Sequence, residues 1–256
     1  MVYKLPKFVS KLIMKIILNF SPNFDAKKRK KSEIKFIVFH YTGMKSEKKA
    51  IDKLLDYNSE VSCHYLIKNN GDIIKMVPEI YQAWHAGISS WKKFKFLNKN
   101  SIGIEITNPG HEFKYKKFSK KQISSIIKLT KYLIKKFKIN SKSILGHSDI
   151  APERKLDPGE KFPWAFLSKN KIGIWHNLNQ NKIKKGRGLK ISTTLKLKFI
   201  NNLFKIGYPR SSKINKNKYD KIITFAFQRR FRQELVNGKI DKECLLISEN
   251  LIKKLN

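Results

Sequence analysis

Cysteine is almost missing from this chain: Cys63 and Cys244 are the only two in 256 residues. They lie far apart, which excludes a disulfide framework and a C-x-x-C metal knuckle and leaves the redox compartment open. Acidic residues are also scarce, 19 against 56 lysines and arginines, for a formal charge of +37. Such an excess points to a polyanionic partner: nucleic acid, an anionic membrane or an acidic polymer. Arginine is scarce within that excess, only seven of the 56. Specific nucleic-acid readers lean on arginine for bidentate base contacts, so dedicated nucleic-acid binding is disfavoured. The lysines are scattered among Asn and Ile along the whole chain, the mixture an AT-rich coding sequence produces. No apolar run approaches the ~18 residues of a membrane span, and no repeat of fixed period occurs.

What is present is enough for a real core. The hydrophobic fraction is 41%, ordinary for a globular protein, and a chain of this length needs neither disulfide nor metal simply to fold. The first twenty residues, "MVYKLPKFVSKLIMKIILNF", are basic and apolar. Lys11 and Lys15 interrupt the apolar run, no A-x-A-like site follows, and there is no cysteine for a lipoprotein anchor. A packed or loose N-terminal extension is expected there, ahead of a membrane-surface helix and an uncleaved export signal.

Strand and helix patterns then alternate. "IKFIVFHYT" reads as a buried strand. "SEKKAIDKLLDYN" has helical spacing at Ile51, Leu54 and Leu55 behind a Ser46 cap. "SCHYLIKNNGDIIKMVP" is a hairpin turning at Asn69-Asn70-Gly71, and "WHAGISSW" is a loop. Ile102 to Thr107 form a strand stopped by Asn-Pro-Gly. A long amphipathic helix follows a Ser119 cap, with Ile123, Ile126, Ile127, Leu129, Leu133, Ile134 and Phe137 apolar. "SILGH" is the next strand, and its histidine opens an irregular loop running to Asp157-Pro158-Gly159. "FPWAFL" is a short helix with proline in its first turn. This is an α/β layered unit, residues 21–178. Residues 179–190, "NQNKIKKGRGLK", read as a linker. Residues 191–256 hold three helical patterns and form a small all-α domain.

His40, Glu105 and His147 fall at strand ends, where a sheet fixes side chains beside variable loops. His147 and Asp157 can reach one ion because the loop between them turns back at Pro152 and Pro158. A catalytic zinc takes three protein ligands. His40, His64, His85, His111 and His176 compete for the third place. His64 is best read as a core histidine, and His111 and His176 as surface residues. Spacing does not choose between His40 and His85. Ile104 and Ile106 point to one face of their strand and Glu105 to the other, beside Gly103 and Thr107. That small, polar face suits a cavity wall, where a buried carboxylate needs a cationic partner.

Taken together, "SPNFD", "FIVFHYTGM", "SCHYLIKNNGDIIKMVPE", "AWHAGISSW", "NKNSIGIEITNPG", "LGHSDIAPERKLDPG" and "FPWAFL" resemble, in order and spacing, the zinc-dependent N-acetylmuramoyl-L-alanine amidases of the amidase-2 group, relatives of phage lysozyme-type amidases and peptidoglycan recognition proteins. The resemblance implies a central mixed β-sheet flanked by helices. It implies His40, His147 and Asp157 as zinc ligands, Glu105 as acid/base and Lys155 as electrophilic partner. Trp84, His85, Arg154 and Asn108 become the expected substrate contacts. The implied reaction cuts the amide between N-acetylmuramic acid, or its anhydro form, and L-alanine of the peptidoglycan stem peptide, in wall turnover or recycling. A non-catalytic recognition module is the alternative; the intact ligand set favours an enzyme. The helical C-terminus resembles a peptidoglycan-binding domain, in which "RRFR" is either a wall contact or a solvated basic edge. A monomer is expected, with no nucleic-acid partner. The compartment is left as cytoplasm, or periplasm and envelope, of a Gram-negative bacterium, with peripheral membrane contact through the N-terminus.

Overall fold

The computed structural model describes residues 15–255; most of the N-terminal extension therefore lies outside the described residues. In chain order the elements are β1 (Ile16–Leu18), β2 (Phe24–Asp25), β3 (Phe36–Tyr41), α1 (Glu47–Leu55), β4 (Tyr65–Ile67), β5 (Ile73–Lys75), β6 (Gln82–Ala83), β7 (Ser90–Trp91), β8 (Phe94–Lys95), β9 (Ser101–Ile106), α2 (Lys120–Phe137), β10 (Ile144–Gly146), α3 (His147–Ile150), α4 (Trp164–Lys169), α5 (Gln180–Lys184), α6 (Thr193–Ile206), α7 (Lys216–Phe231) and α8 (Lys242–Leu255). Six strands form one mixed sheet in the order β1-β5-β4-β9-β3-β10. Only the β4–β5 hairpin is antiparallel; the other four pairings are parallel. Gly71, at φ +89°, supplies the left-handed position in that hairpin's turn. β1, from the end of the basic apolar N-terminus, adds an edge strand.

The expected helix caps are in place. Ser46 accepts from Lys49 N–H, and Ser119 forms a capping box with Gln122. α2 carries the chain from β9 across the sheet to β10. Its apolar stripe covers Ile37, Phe39, Ile102, Ile104, Ile106 and Ile144. Because side chains alternate along a strand, Phe36, Val38 and His40 of β3 and Ser101, Gly103 and Glu105 of β9 occupy the opposite face. β3 and β9 run in parallel register with His40 beside Glu105, so both functional side chains leave the sheet at one level.

Two local expectations change. His147 does not open an irregular loop; it starts the one-turn α3. Asp149 Oδ2 accepts the Gly146 N–H at 2.8 Å and the His147 carbonyl accepts from Ala151 N–H, so the first turn closes despite Pro152. Residues 179–190 contain α5 capped by Asn179, with Ile183 buried, and Arg187 makes a two-pronged ion pair with Glu243.

The C-terminal helices α6, α7 and α8 bury Phe199, Phe227 and Phe231 among themselves, and Phe225 is partly buried. One apolar cluster runs from Phe36, Val38 and Leu145 of the sheet through Trp91, Leu97 and Ile150 to those helices. The basic "RRFR" stretch is not a solvated edge: Arg230 and Arg232 are 2% and 3% exposed. Arg230 pairs with Asp149 and Arg232 with Asp241. A buried guanidinium needs such partners, because its desolvation costs several kcal/mol.

Candidate active site

The Asp157 turn folds back against β3 and α3 so that three donor atoms converge. His40 Nδ1 and His147 Nδ1 lie 2.9 Å apart, and Asp157 Oδ2 lies 3.0 and 3.1 Å from them. All three residues are buried. Burial, reinforced by neighbouring His147, lowers the His40 pKa to about 4, which keeps the ring neutral at physiological pH. Burial by itself would raise the Asp157 carboxyl, but His147 and His40 hold it well below the usual range, so it is an anion. Two imidazole nitrogens and one carboxylate oxygen make a donor set of the kind that holds a catalytic zinc ion.

Beside this cluster the Glu105 carboxyl is pushed up to about 8, by burial first and the Asp157 charge second. Its Oε2 is buried with no hydrogen-bond partner among the described residues. Lys155 lies two residues before Asp157 and lines the same cavity, of about 500 Å³, as His40, Glu105, His147 and Trp84. Trp84 forms part of the wall, its Nε1–H donating to Asp25 Oδ1 at 2.7 Å.

The other expected contacts are held differently. Arg154 lines the cavity, but its guanidinium donates to the carbonyls of Ala86 and Ile88. Asn108 is fully buried; its amide donates to the Lys116 carbonyl and its oxygen accepts from Gly110 N–H, which ties down the loop after β9. His85 is buried behind His40, with His40 Nε2 3.0 Å from His85 Nδ1. His64 is a core histidine whose Nδ1 accepts from Gly103 N–H at 3.0 Å. His176 is 5% exposed and stacks on Trp175 rather than lying on the surface.

His111 likewise leaves the surface class. Tyr41 Oη–H donates to its Nδ1 at 2.8 Å, its Nε2–H donates to Glu160, and its ring stacks on Tyr115. Tyr41 and His111 line the same cavity as Trp84. Tyr41 and His111 are 70 residues apart, so no local pattern announced the pair.

A family model described as N-acetylmuramoyl-L-alanine amidase matches residues 30–160. The chain is 36% identical over 236 residues to the N-acetylmuramoyl-L-alanine amidase AmiD of Escherichia coli, covering 86% of this chain and 83% of that one. It is 34% identical over 167 residues to the 1,6-anhydro-N-acetylmuramyl-L-alanine amidase AmpD of Haemophilus influenzae, covering 58% of this chain and 88% of that one. The solved complex of the Escherichia coli AmiD with anhydro-N-acetylmuramic acid-L-Ala-D-gamma-Glu-L-Lys superimposes with a TM-score of 0.77 at 33% identity, over 90% of this chain and 91% of that one. AmpDh3 of Pseudomonas aeruginosa gives 0.75 at 29% identity, over 90% and 94%. With the fold, the cavity and these likenesses in agreement, the chain belongs to the N-acetylmuramoyl-L-alanine amidase family.

Proposed function

We propose that this chain hydrolyses the amide between N-acetylmuramic acid, in its ordinary or 1,6-anhydro form, and the L-alanine of a peptidoglycan stem peptide, with zinc held by His40, His147 and Asp157. The observation that carries the reading is the convergence of those three donor atoms next to a buried carboxyl and an ammonium in one cavity. A zinc ion bound there supplies Lewis acidity, polarising a carbonyl and easing the ionisation of water at neutral pH.

The chain's own groups have the following parts. Glu105 lines the cavity and its Oε2 has no hydrogen-bond partner among the described residues, so its ionised form is free to take a proton from the attacking water. The apolar surroundings that raise its pKa also make the protonated form a competent acid, and it returns the proton to the departing alanine nitrogen. The Lys155 ammonium offsets negative charge developing on the carbonyl oxygen. Trp84, Tyr41 and His111 line the cavity and offer aromatic surface to the sugar and peptide. The stem peptide carries several carboxylates, and a surface of net charge +37 draws it in.

Incubating the purified protein with an anhydromuramoyl tripeptide tests this. Free tripeptide with a new alanine amine is expected, lost on chelation and restored by zinc. Tight binding of intact substrate with no release would instead identify a recognition module. A role in wall turnover or muropeptide recycling follows from that substrate class.

A further inference from the structure

We propose that His85 is a positioning residue, which, with Ser101, fixes the tautomer of His40 so that the His40 Nδ1 lone pair faces the metal site. This inference rests on the reading of His40 and His147 as metal ligands.

The logic starts at the one donor whose direction is forced. Ser101 Oγ lies 2.6 Å from the Leu97 carbonyl oxygen. A carbonyl cannot donate, so the single hydroxyl hydrogen of Ser101 points at Leu97. The same Oγ is 3.1 Å from His85 Nε2; its hydrogen being spent, it accepts, and the proton of His85 sits on Nε2. A neutral imidazole carries one N–H and one lone pair, so His85 Nδ1 is an acceptor. His40 Nε2, 3.0 Å away, must then carry the His40 proton and donate it. His40 Nδ1 is left with its lone pair, facing His147 Nδ1 and Asp157 Oδ2.

The same loop segment serves the second imidazole. His147 Nε2 lies 3.2 Å from the carbonyl of Ala86, the residue after His85. The Arg154 guanidinium lies farther from the same nitrogen, at 3.4 Å; a proton held on Nε2 by the nearer carbonyl would leave His147 Nδ1 free as a ligand as well. The segment is fastened from both sides. Asn98 Oδ1 accepts from the N–H groups of His85 and Ala86, and Arg154 donates to the carbonyls of Ala86 and Ile88. Gly103 makes room on β9: a Cβ there would overlap the His85 ring. "AWHAG" thus both lines the cavity, through Trp84 and His85, and straps the two ligands from behind, with Arg154 as its buckle.

The test reads the metal and the proton directly. In the wild-type apoprotein, nitrogen-15 spectra of the imidazoles should place the His40 proton on Nε2. His85→Phe keeps the ring's bulk but removes both hydrogen bonds. It should weaken zinc binding, measured by competition with a chromophoric chelator, by roughly 10–100-fold, the usual size for losing such an outer partner. His85→Asn puts an amide oxygen near the Nδ1 position and should recover most of that loss. Ser101→Ala should fall between the two, because the His85 proton is then free to move. A His40 proton found on Nδ1 in the wild type, or a zinc affinity unchanged in His85→Phe, would overturn the assignment. Absence of zinc binding by the wild-type protein would overturn the underlying reading instead, so the two failures are distinguishable.

Discussion

In the proposed reaction Glu105 handles the proton and Lys155 the developing negative charge, and their substitutions would separate chemistry from metal binding. Glu105→Gln keeps the shape and removes the proton acceptor. Its turnover should fall by about 10²–10⁴-fold with zinc content unchanged, as read by steady-state kinetics and metal analysis. Lys155→Met should cost about 10²–10³-fold in kcat, again at full metal occupancy. Loss of zinc from either variant would show that the residue is structural. At this scale the sequence was legible only through the family's order of motifs. His147 and Asp157 are joined by a turning loop, a spacing too common by itself to mark a site. Spacing did not choose between His40 and His85 either, and the structure shows why: both belong to one hydrogen-bonded file, His40 in front and His85 behind. The hydrogen bonds of Arg154, an expected substrate contact that lines the cavity, go to backbone carbonyls that no residue pattern reveals.

Glu79, between β5 and β6, shows how a buried acid joins elements. It accepts from Tyr65 of β4, Lys75 of β5 and Lys136 of α2. Burial works to raise its pKa, but the bonds from Lys75, Tyr65 and Lys136 outweigh it and hold the carboxyl at about 2. A carboxyl lowered on folding adds stability above its unfolded pKa and loses it as pH falls toward the folded value. Glu79→Gln should therefore lower stability at pH 7 by about 2 kcal/mol, allowing for solvent screening of the lysines. In denaturant melts the gap from wild type should hold down to about pH 4.5 and close toward about pH 2; a gap independent of pH would contradict the hub. The elements themselves were readable in proportion to length. α2, with its long apolar period and capping box, and the β3 and β9 runs were evident. The two-residue β6, β7 and β8 have no period to detect, and α3 depends on an Asp149 contact that is invisible before folding.

The whole molecule is joined through α3. Arg230 of α7 and Tyr208, just after α6, both reach Asp149, two residues beyond His147, and Arg230 also donates to the Ile144 carbonyl. A helical C-terminus was evident in the sequence, but its contact with the catalytic turn was not, because "RRFR" has the composition of a surface. Arg230→Ala leaves the buried Asp149 carboxylate without its cation, held only by the Tyr208 hydroxyl and the Gly146 N–H, and should cost about 3–5 kcal/mol in chemical unfolding. Lys48→Ala, which breaks an exposed pair with Asp52, should cost under about 0.5 kcal/mol. Equal effects would mean that burial does not set the value of these pairs. The most direct measurement for the molecule as a catalyst is hydrolysis of an anhydromuramoyl tripeptide in heavy-oxygen water, followed by mass spectrometry of both products. The account predicts one heavy oxygen in the lactyl carboxylate of the sugar, none in the released peptide, and no products from His147→Ala. Intact substrate after incubation with the zinc-loaded wild type, or undiminished hydrolysis by His147→Ala, would contradict it.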